Sequence, residues 1–526
     1  MKSKIPIVLI LLAGFFIGIY YHYLLEQITD LSPFHYISVK KDSQVWNILA
    51  YLFTHFFTIM FSLSIIFIAS VIMLENRNPS KTVAWLVILT MFPIIGFIFY
   101  IFVGRNVRKR RRYKHKTIDL NEMQQLIQIP YDLNEPEKLK RFPGRPQRII
   151  NFLWQSASSP MTRYNRVEVL TNGEATYKSM LEGMEKAQHH IHFITFILRD
   201  DGIGRQMKEI WMERAKAGVE VRLIIDGLGS RQLPSTYIQD LKEAGVQVII
   251  FSPILFPYLR KVNYRNHRKI AVVDGTIGFL GGLNVGDEYL GKSERFSFWR
   301  DTHMKIEGDA AYLLQLIFLM DWNFISKEDI TLSREYFPHH NIKEKHYVQI
   351  AASGPDSDWE YIQKVYFSLI TGAQKTVYIT TPYLIPDDSI IMALKTAALS
   401  GVDVRIVVPA VPDHMVVFWA SRSYYTELLE AGVKIYTYHK GFIHAKIMIV
   451  DGEISTLGTA NFDIRSFQYN FEVSSVVYDT DVAERLEGDF SQDMVDSSEL
   501  SLKTFSRRPL LDKLKESVAR LMSPLL

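Results

Sequence analysis

The sequence predicts an α/β protein with two similar domains, preceded by a hydrophobic N-terminal region. Two observations predict the class and the duplication. Short β-branched runs such as RLIIDG and RIVVPA alternate with segments whose apolar residues recur at helical spacing, which is typical of a sheet covered by helices. The same order of segments then occurs twice along the chain, as duplicated units require. The alternation favours a mostly parallel sheet in each half.

The composition excludes several classes of function. The 526 residues contain no cysteine, which excludes a disulfide framework, thiolate catalysis and cysteine-based zinc sites. The formal net charge of +4 is small for this length, so the placement of charge is more informative than its sum. Hydrophobic residues are especially dense in the first hundred positions.

Three apolar runs in the N-terminal region, at about 5–25, 50–74 and 83–103, are long enough to cross a bilayer, which needs about 20 apolar residues. A short polar turn separates the second run from the third, so this pair predicts a transmembrane hairpin. For the first run, a cleaved signal peptide is an alternative, although no A-x-A-like site follows it.

A dense basic cluster, GRNVRKRRRYKHK at 104–116, follows the third run. Such a cluster at the end of a span predicts that the following domains are cytoplasmic, in a multi-pass protein of the cell membrane whose basic cluster contacts anionic headgroups. Its place at a membrane exit disfavours nucleic acid as the partner. Three spans followed by cytoplasmic domains would put Lys2 and Lys4 outside the cell, although basic residues beside a span favour the cytoplasmic side. The topology of the first run therefore stays open.

These features divide the chain into five parts. They are a membrane region at 1–110, a basic connector at 111–160, two α/β domains at 161–335 and 336–500, and an amphipathic helix at 501–526.

The C-terminal part places apolar residues at helical spacing, namely Leu511, Leu514, Val518 and Leu521. We expect first that these residues pack the helix onto the preceding domain. The alternative is a helix that lies on a membrane surface.

The spacing H-x-K-x4-D occurs twice, as HRKIAVVD from His267 and as HAKIMIVD from His444, and each copy continues through glycines to an asparagine. Ordinary residue usage would produce this spacing by chance about 0.05 times in a chain of this length. Two copies with the same ending therefore predict one active site built from two halves.

Local geometry indicates how each copy is arranged. Alternation along a strand places His267 and Lys269 on one face, and Asp274-Gly275 between apolar runs is a strong hairpin-turn signal. The returning strand then carries Asn284 back alongside His267. The second copy repeats this pattern, so each hairpin presents an imidazole, an ammonium and an amide together.

These three groups suit a phosphodiester. Imidazole can attack phosphorus or transfer a proton near neutral pH, while ammonium and amide groups stabilise the oxygens that gain charge in the transition state. One histidine cannot be both nucleophile and leaving-group acid, so two copies make chemical sense. We infer no metal, because protonated lysine is a poor ligand, and we expect no other cofactor.

Two further patterns are decoys. Gly286–Ser293 matches G-x4-G-K-S, but Asp287 and Glu288 would repel a phosphate and no apolar helix follows. His189–His192 reads HHIH within a strand pattern and lacks carboxylates at ligand spacing. We interpret it as a core or edge histidine pair and not as a metal site.

The paired motifs resemble the phospholipase D superfamily, and the surrounding segments resemble its bacterial cardiolipin synthase family. Those segments are ENRNPSKTVAW, WRDTHMKIEG, ITTPYLIPDD, WASRSYYTELLEAGVKIY and GFIHAKIMIVDG. The resemblance extends from the membrane hairpin to the C-terminal SPLL. It departs mildly at Gly458–Asn461, where GTAN replaces the commoner GS-x-N.

This resemblance implies duplicated phospholipase D-like domains, each a mixed sheet flanked by helices, preceded by N-terminal transmembrane helices. It implies that one histidine forms a phosphohistidine and the other protonates the departing alcohol; we expect His267 to attack and His444 to be the acid, although sequence leaves the order open. The other implied site residues are Lys269, Lys446, Asn284 and Asn461 for phosphate binding, Asp274 and Asp451 as structural or charge-orienting members of the catalytic motifs, and Asp301 and Glu472 for orienting the histidines.

The implied reaction joins two phosphatidylglycerols and releases glycerol. Alternatives on the same motifs are a phospholipase D-type hydrolase, another phosphatidyltransferase or a nuclease, and the membrane runs disfavour the nuclease. A non-catalytic membrane scaffold is a further alternative, but a scaffold need not keep two complete motifs.

Overall fold

The computed structural model describes residues 144–252, 264–328, 330, 333–357 and 359–523, with a few isolated helical residues between 66 and 88. The three predicted spans therefore lie wholly or almost wholly outside the described residues, as does the basic cluster at 104–116. Across the described ranges, no helix combines the length and hydropathy that a membrane crossing requires.

Within its described residues, the first half contains eight strands and five α-helices. The strands are β1 Asn165–Thr171, β2 His190–Thr195, β3 Glu220–Asp226, β4 Gln247–Phe251, β5 Ile270–Val273, β6 Ile277–Gly281, β7 Trp299–Arg300 and β8 Thr302–Gly308. The helices are α1 Arg145–Ala157, α2 Asn172–Glu185, α3 Gly202–Lys216, α4 Ser235–Glu243 and α5 Asp309–Ser326. Seven of the strands form one sheet in the order β1-β8-β6-β5-β2-β3-β4.

The second half repeats this plan with additional short elements. Its strands are β9 Tyr347–Ser353, β10 Thr376–Thr380, β11 Leu384–Ile385, β12 Asp403–Pro409, β13 Lys434–Tyr438, β14 Phe442–Ile443, β15 Ile447–Val450, β16 Ile454–Gly458, β17 Phe462–Asp463, β18 Glu472–Tyr478 and β19 Ser497–Glu499. Its helices are α6 Tyr361–Gly372, α7 Asp388–Leu399, α8 Met415–Arg422, α9 Tyr425–Glu430, α10 Ile464–Gln468, α11 Thr480–Val495, α12 Leu502–Ser506 and α13 Leu510–Leu521.

The two sheets share one strand order, since the second runs β9-β18-β16-β15-β10-β12-β13 and adds β19 at its edge. This confirms the duplication. Only β2, β3 and β4 run parallel in the first sheet, and the other pairings are antiparallel. The expectation of a mostly parallel sheet is therefore wrong, because each copy of the motif forms an antiparallel hairpin in the middle of its sheet. The mixed sheet implied by the resemblance is confirmed.

A hydrophobic core shared by the two halves brings the motif hairpins face to face. Ile270 and Leu280 of the first hairpin pack in one buried cluster with Ile447 and Leu457 of the second. Each fully buried side chain of this size contributes about 2 kcal/mol. The hairpins are therefore held together by packing between the two sheets.

The C-terminal helix α13 packs on the second half, but with the opposite face from the expected one. Glu516 and Ala519 are its buried residues, while Leu514 and Leu521 are 59% and 83% exposed. The expectation that the leucines pack onto the domain is therefore wrong. Ion pairs hold the inner face, since Glu516 contacts Arg422 at 3.1 Å and Arg508 at 2.6 Å.

Candidate active site

His267 is positioned by a contact between the two halves. Its backbone N–H donates to the carbonyl of Phe471 at 3.0 Å, next to an isolated parallel bridge between Asn266 and Phe471. The residue after Phe471 is Glu472, and its Oε1 lies 2.9 Å from Nδ1 of His267. The histidine of the first half is therefore oriented by a carboxylate of the second half.

The second histidine has the reciprocal arrangement. The short strand β14 pairs in parallel with β7, and the backbone N–H of His444 donates to the carbonyl of Arg300 at 2.7 Å. Asp301 follows Arg300, and its Oδ2 lies 2.8 Å from Nδ1 of His444. The two acid–histidine pairs thus cross between the halves, so neither half contains a complete site.

These contacts indicate the tautomer of each imidazole. A carboxylate can only accept, so Nδ1 of each imidazole carries the proton, and Nε2 is the atom left for attack or proton transfer. Burial is the main cause that lowers the pKa of His267 to about 4, opposed by Glu472. Burial and then Lys446 lower the pKa of His444 to about 4. Both histidines are therefore neutral at pH 7 in the substrate-free protein.

The two orienting acids are fully buried and ionised. Burial alone would raise the pKa of Glu472, but the attraction of His267 and Lys269 outweighs it, so that the pKa is lowered. The same balance with His444 lowers the pKa of Asp301. Thr459 donates to Oε2 of Glu472 at 2.5 Å, so the threonine that departs from the common GS-x-N ending helps to hold this acid.

Two buried lysines supply the positive charge. Lys269 Nζ donates to the carbonyl of His267 at 2.8 Å, and Lys446 donates to that of His444 in the same way. Burial is the main cause that lowers the pKa of Lys269 to about 7 and that of Lys446 to about 8. Each lysine stands beside its own histidine, where an ammonium can contact a phosphate oxygen.

Both predicted asparagines are buried at the ends of the returning strands. Asn284 accepts from the N–H of Ile197 at 3.1 Å and donates to the hydroxyl of Tyr289 at 3.1 Å. Asn461 donates to Oδ2 of Asp463 at 3.0 Å. A side-chain amide carries two N–H groups, so each asparagine keeps one donor beyond these contacts.

The motif aspartates take a structural place, away from the histidines. Asp274 accepts from the backbone N–H groups of Gln188, His189 and His190 at 2.7–3.0 Å. It lies at the hairpin turn, with φ at 49°, and at about 3.3 Å per residue it is about 16 Å along the strand from Lys269. Asp451 likewise accepts hydrogen bonds from the backbone N–H groups of the residues that lead into β10. These contacts support the structural one of the two roles that the resemblance implies for these members of the catalytic motifs.

We expect Asp274→Ala to lower the free energy of unfolding by about 1–3 kcal/mol, because three N–H groups lose a charged acceptor. The remaining folded protein should keep its turnover per molecule. Asp274→Asn is the matched control, since asparagine tolerates positive φ and still accepts a hydrogen bond. Denaturant unfolding and turnover measured together provide the check. A well-folded alanine variant without activity would contradict the structural role.

The two decoy patterns have structural partners. Asp287 opens a 3₁₀ helix at Asp287–Leu290 and accepts from the N–H groups of Gly202 and Ile203 at the start of α3, so the segment is no phosphate loop. His190 and His192 are buried and both contact Gln315. In the part of the chain that the structure describes, no three His, Asp or Glu side chains converge as a metal site would require.

One buried residue beside the site was not singled out from sequence. His303 lies two residues beyond Asp301, and its Nδ1 accepts from the N–H of Leu283 at 3.3 Å. It lines a cavity of about 10 Å³ together with Lys269 and Asn284. Burial lowers its pKa to about 3. Strand alternation from Asp301 was the available signal, since residues two apart share a face.

Comparisons with known proteins agree with this architecture. A family described as "Cardiolipin synthase, PLD-like domain" matches residues 180–312 and 366–494, and "Phospholipase_D-nuclease N-terminal" matches 62–105. "Cardiolipin synthase" of Geobacillus sp. (strain WCH70) is 49% identical over 89% of this chain and 93% of its own length. "Cardiolipin synthase" of Oceanobacillus iheyensis is 40% identical over 89% and 98%.

A solved structure of phosphatidylserine synthase from Haemophilus influenzae Rd KW20 has a TM-score of 0.55 at 16% identity, covering 74% of this chain and 100% of its own. That likeness concerns the fold alone. The fold and the paired histidines define a duplicated phospholipase D-like protein. Within that class, the family match and the relatives place the chain in the cardiolipin synthase family.

Proposed function

We propose that this protein is a phosphatidyltransferase that makes cardiolipin from two molecules of phosphatidylglycerol and releases glycerol. The observation that carries the proposal is the crossed site, in which two neutral histidines present Nε2 beside two lysines. A symmetric pair of histidines suits the exchange of one diester for another, because the two half-reactions are chemically alike. The relatives named cardiolipin synthase support this substrate.

In the first half-reaction, Nε2 of His267 attacks phosphorus while the bond from phosphorus to the headgroup glycerol breaks. His444 gives its Nε2 proton to the departing glycerol oxygen. Its pKa of about 4 in the empty site means that His444 takes this proton from solvent when the substrate binds, because a bound phosphate anion raises the pKa of a neighbouring imidazole. Lys269 and Lys446 stabilise the charge on the non-bridging oxygens.

In the second half-reaction, neutral His444 takes the proton from a headgroup hydroxyl of a second phosphatidylglycerol. That oxygen attacks phosphorus, and the bond between phosphorus and His267 breaks. Cardiolipin leaves, His444 returns its proton to solvent, and both histidines are again neutral. No nucleotide is consumed, because a diester replaces a diester.

Purified protein incubated with phosphatidylglycerol alone tests this function. We expect cardiolipin and glycerol in equal amounts, measured by mass spectrometry and a coupled glycerol assay. Because the second alcohol competes with water, phosphatidic acid as the sole lipid product would show a hydrolase instead. The matched control is the His267→Ala protein prepared in the same way.

Because His444 has a pKa of about 4 in the free protein and must take up a proton on binding, kcat/KM already declines above about pH 4. The lysines predict that this decline becomes steeper as pH rises through about 7–8. Lysine is cationic only below its pKa, and the pKa values of about 7 and 8 for Lys269 and Lys446 apply to the free protein, which kcat/KM reports. Loss of these charges weakens attraction for the phosphate. At the acid end, kcat/KM should fall below about pH 4, as His267 becomes protonated.

A pH series on detergent-dispersed phosphatidylglycerol measures both limbs. Lys446→Arg is the matched variant, because arginine stays charged throughout, so its alkaline limb should move upward. A decline in kcat/KM that keeps one slope from pH 6 to 9 in the wild-type protein would contradict the lysine assignment.

The membrane assignment belongs to the same proposal. The apolar runs at 5–25, 50–74 and 83–103 would anchor the protein in the cell membrane, and the basic cluster at 104–116 would contact anionic lipid on the cytoplasmic side. The match of an N-terminal family at residues 62–105 supports an N-terminal module distinct from the catalytic halves. Such anchoring would keep the catalytic halves near a lipid substrate.

A further inference from the structure

The outward face of helix α13 is a continuous apolar stripe. Its members are all more than half exposed, and from Leu511 onward they are spaced three or four residues apart: Leu510, Leu511, Leu514, Val518 and Leu521. Residues at this spacing lie on one side of a helix. A stripe of five large aliphatic side chains in water is unusual on a soluble surface and indicates a binding face.

This stripe belongs to a helix that is firmly held. On the inner side, Glu516 is 2% exposed and bonds to both Arg422 and Arg508. Near the end of the helix, Arg520 donates to Glu427 at 2.7 Å. Because these polar contacts face the domain, the leucines are directed outward by the packing itself.

Neighbouring apolar residues extend the stripe. Lys515 Nζ lies 4.8 Å from the ring centroid of Trp419 in α8, so the two helices are side by side. Met415 is one turn before Trp419 and therefore shares its face. Met415 and Val416 are both exposed. We call the stripe of α13 together with Met415 and Val416 the apolar surface.

The charge around the apolar surface fits an anionic partner. Residues 501–523 contain six basic and two acidic side chains, a net charge of +4 that equals the formal net charge of the whole chain. Lys513 and Lys515 are exposed and border the stripe. Lysines beside an apolar face can reach lipid headgroups while their stems remain among the chains.

Helix α8, which carries Met415 and Val416, also lies near residues that contact the second histidine. Phe418 of α8 lines one small cavity with Asp413, Tyr383 and Phe442. The ring of Phe442 lies 6.0 Å from that of His444. Helix α8 therefore connects the exposed apolar residues to the histidine of the second half.

We propose that the apolar surface inserts into the interface of an anionic phospholipid bilayer and holds the catalytic halves against the lipid. It gives the domains a second attachment, separate from the N-terminal runs. The proposal rests on the proposed function for its lipid substrate, but the attachment itself is measurable without turnover.

The chain has no cysteine, so one introduced cysteine gives a unique labelling position. Leu514→Cys carries an environment-sensitive fluorophore in the full-length protein, reconstituted into vesicles of phosphatidylglycerol and phosphatidylcholine. A His267→Ala background keeps the lipid composition constant. We expect a blue shift and quenching by lipids with spin labels on their acyl chains.

Val495→Cys is the matched control. Val495 is 77% exposed at the end of α11, which lies on the other face of the second sheet. Adjacent residues of a strand point to opposite faces of the sheet. In β12, Ile406 packs in the cluster with Ala519 of α13, whereas its neighbour Val407 packs in the cluster with Leu486 of α11. The helices α13 and α11 therefore lie on opposite faces. The control label should remain unquenched.

The other outcomes overturn the proposal. A blue shift at Leu514 without quenching by the labelled lipids means that protein covers the stripe, either a second copy or another segment of this chain. An unshifted emission means that the stripe faces water in the membrane-bound protein.

Activity provides a second test. Leu514→Gln with Val518→Gln removes two apolar side chains without changing charge, and it should reduce turnover in vesicles by at least about tenfold, the factor expected for one such side chain withdrawn from lipid. Turnover of detergent-dispersed lipid should stay at the wild-type level, as should both activities of Val495→Gln. An equal loss in vesicles and detergent would overturn the proposal, since it would assign α13 a structural role. Absence of product from wild-type protein would refute the proposed function and leave the quenching result standing.

Discussion

Replacing either His267 or His444 with alanine is expected to reduce phosphatidyl transfer by about 10³–10⁶-fold, the range for loss of a member of a catalytic pair that acts as a unit. The reason is that the crossed contacts build one site from both histidines. Purified variants assayed with phosphatidylglycerol provide the measurement, and the exposed His439→Ala is the matched control. A variant with half the wild-type activity would contradict the shared site.

A substrate with a good leaving group separates the two roles. A phosphatidyl ester of a nitrophenol needs no acid for departure, so His444→Ala should still form the covalent phosphohistidine, whereas His267→Ala should not. Mass spectrometry of the trapped protein identifies the modified residue. Labelling of His444 in the His267→Ala protein would reverse the assignment of nucleophile and acid.

Neutralising the orienting acids should produce the second-largest effect. Glu472→Gln and Asp301→Asn are each expected to reduce turnover by about 10²–10⁴-fold, because an amide can present N–H to Nδ1 and so favour the wrong imidazole tautomer. Matched controls are Glu484→Gln and Asp481→Asn, which change exposed acids on α11.

The crossed pairing makes this prediction specific to each acid. Asp301 lies 2.8 Å from His444, so Asp301→Asn should lose little in the covalent step when the leaving group is activated. Glu472 lies 2.9 Å from His267, so Glu472→Gln should remain slow with every substrate. If instead Asp301→Asn blocked labelling by the activated substrate and Glu472→Gln did not, the acids would not act through the histidines they contact.

Much of the fold was predictable because its signals are local. Alternation and the Asp-Gly turns predict the two motif hairpins, and the structure contains them, with φ of 49° and 69° at Asp274 and Gly275. The internal repeat predicts two sheets of one design, which the shared strand order bears out. Strand direction beyond the hairpins was harder to predict, because it depends on pairing between segments far apart in the chain.

The sequence by itself determined the chemistry of this protein: two histidines and two lysines at a spacing that chance does not produce, each pair carried on its own hairpin. Only the tertiary structure decided how these groups are used. It placed Glu472 beside His267 and Asp301 beside His444, because strand pairing across the interface joins each motif to the other half. It also directs the leucines of α13 outward, because the buried Glu516 accepts hydrogen bonds from Arg422 and Arg508 on the inner side of the helix. Both outcomes follow from contacts between distant segments, which residue spacing does not encode.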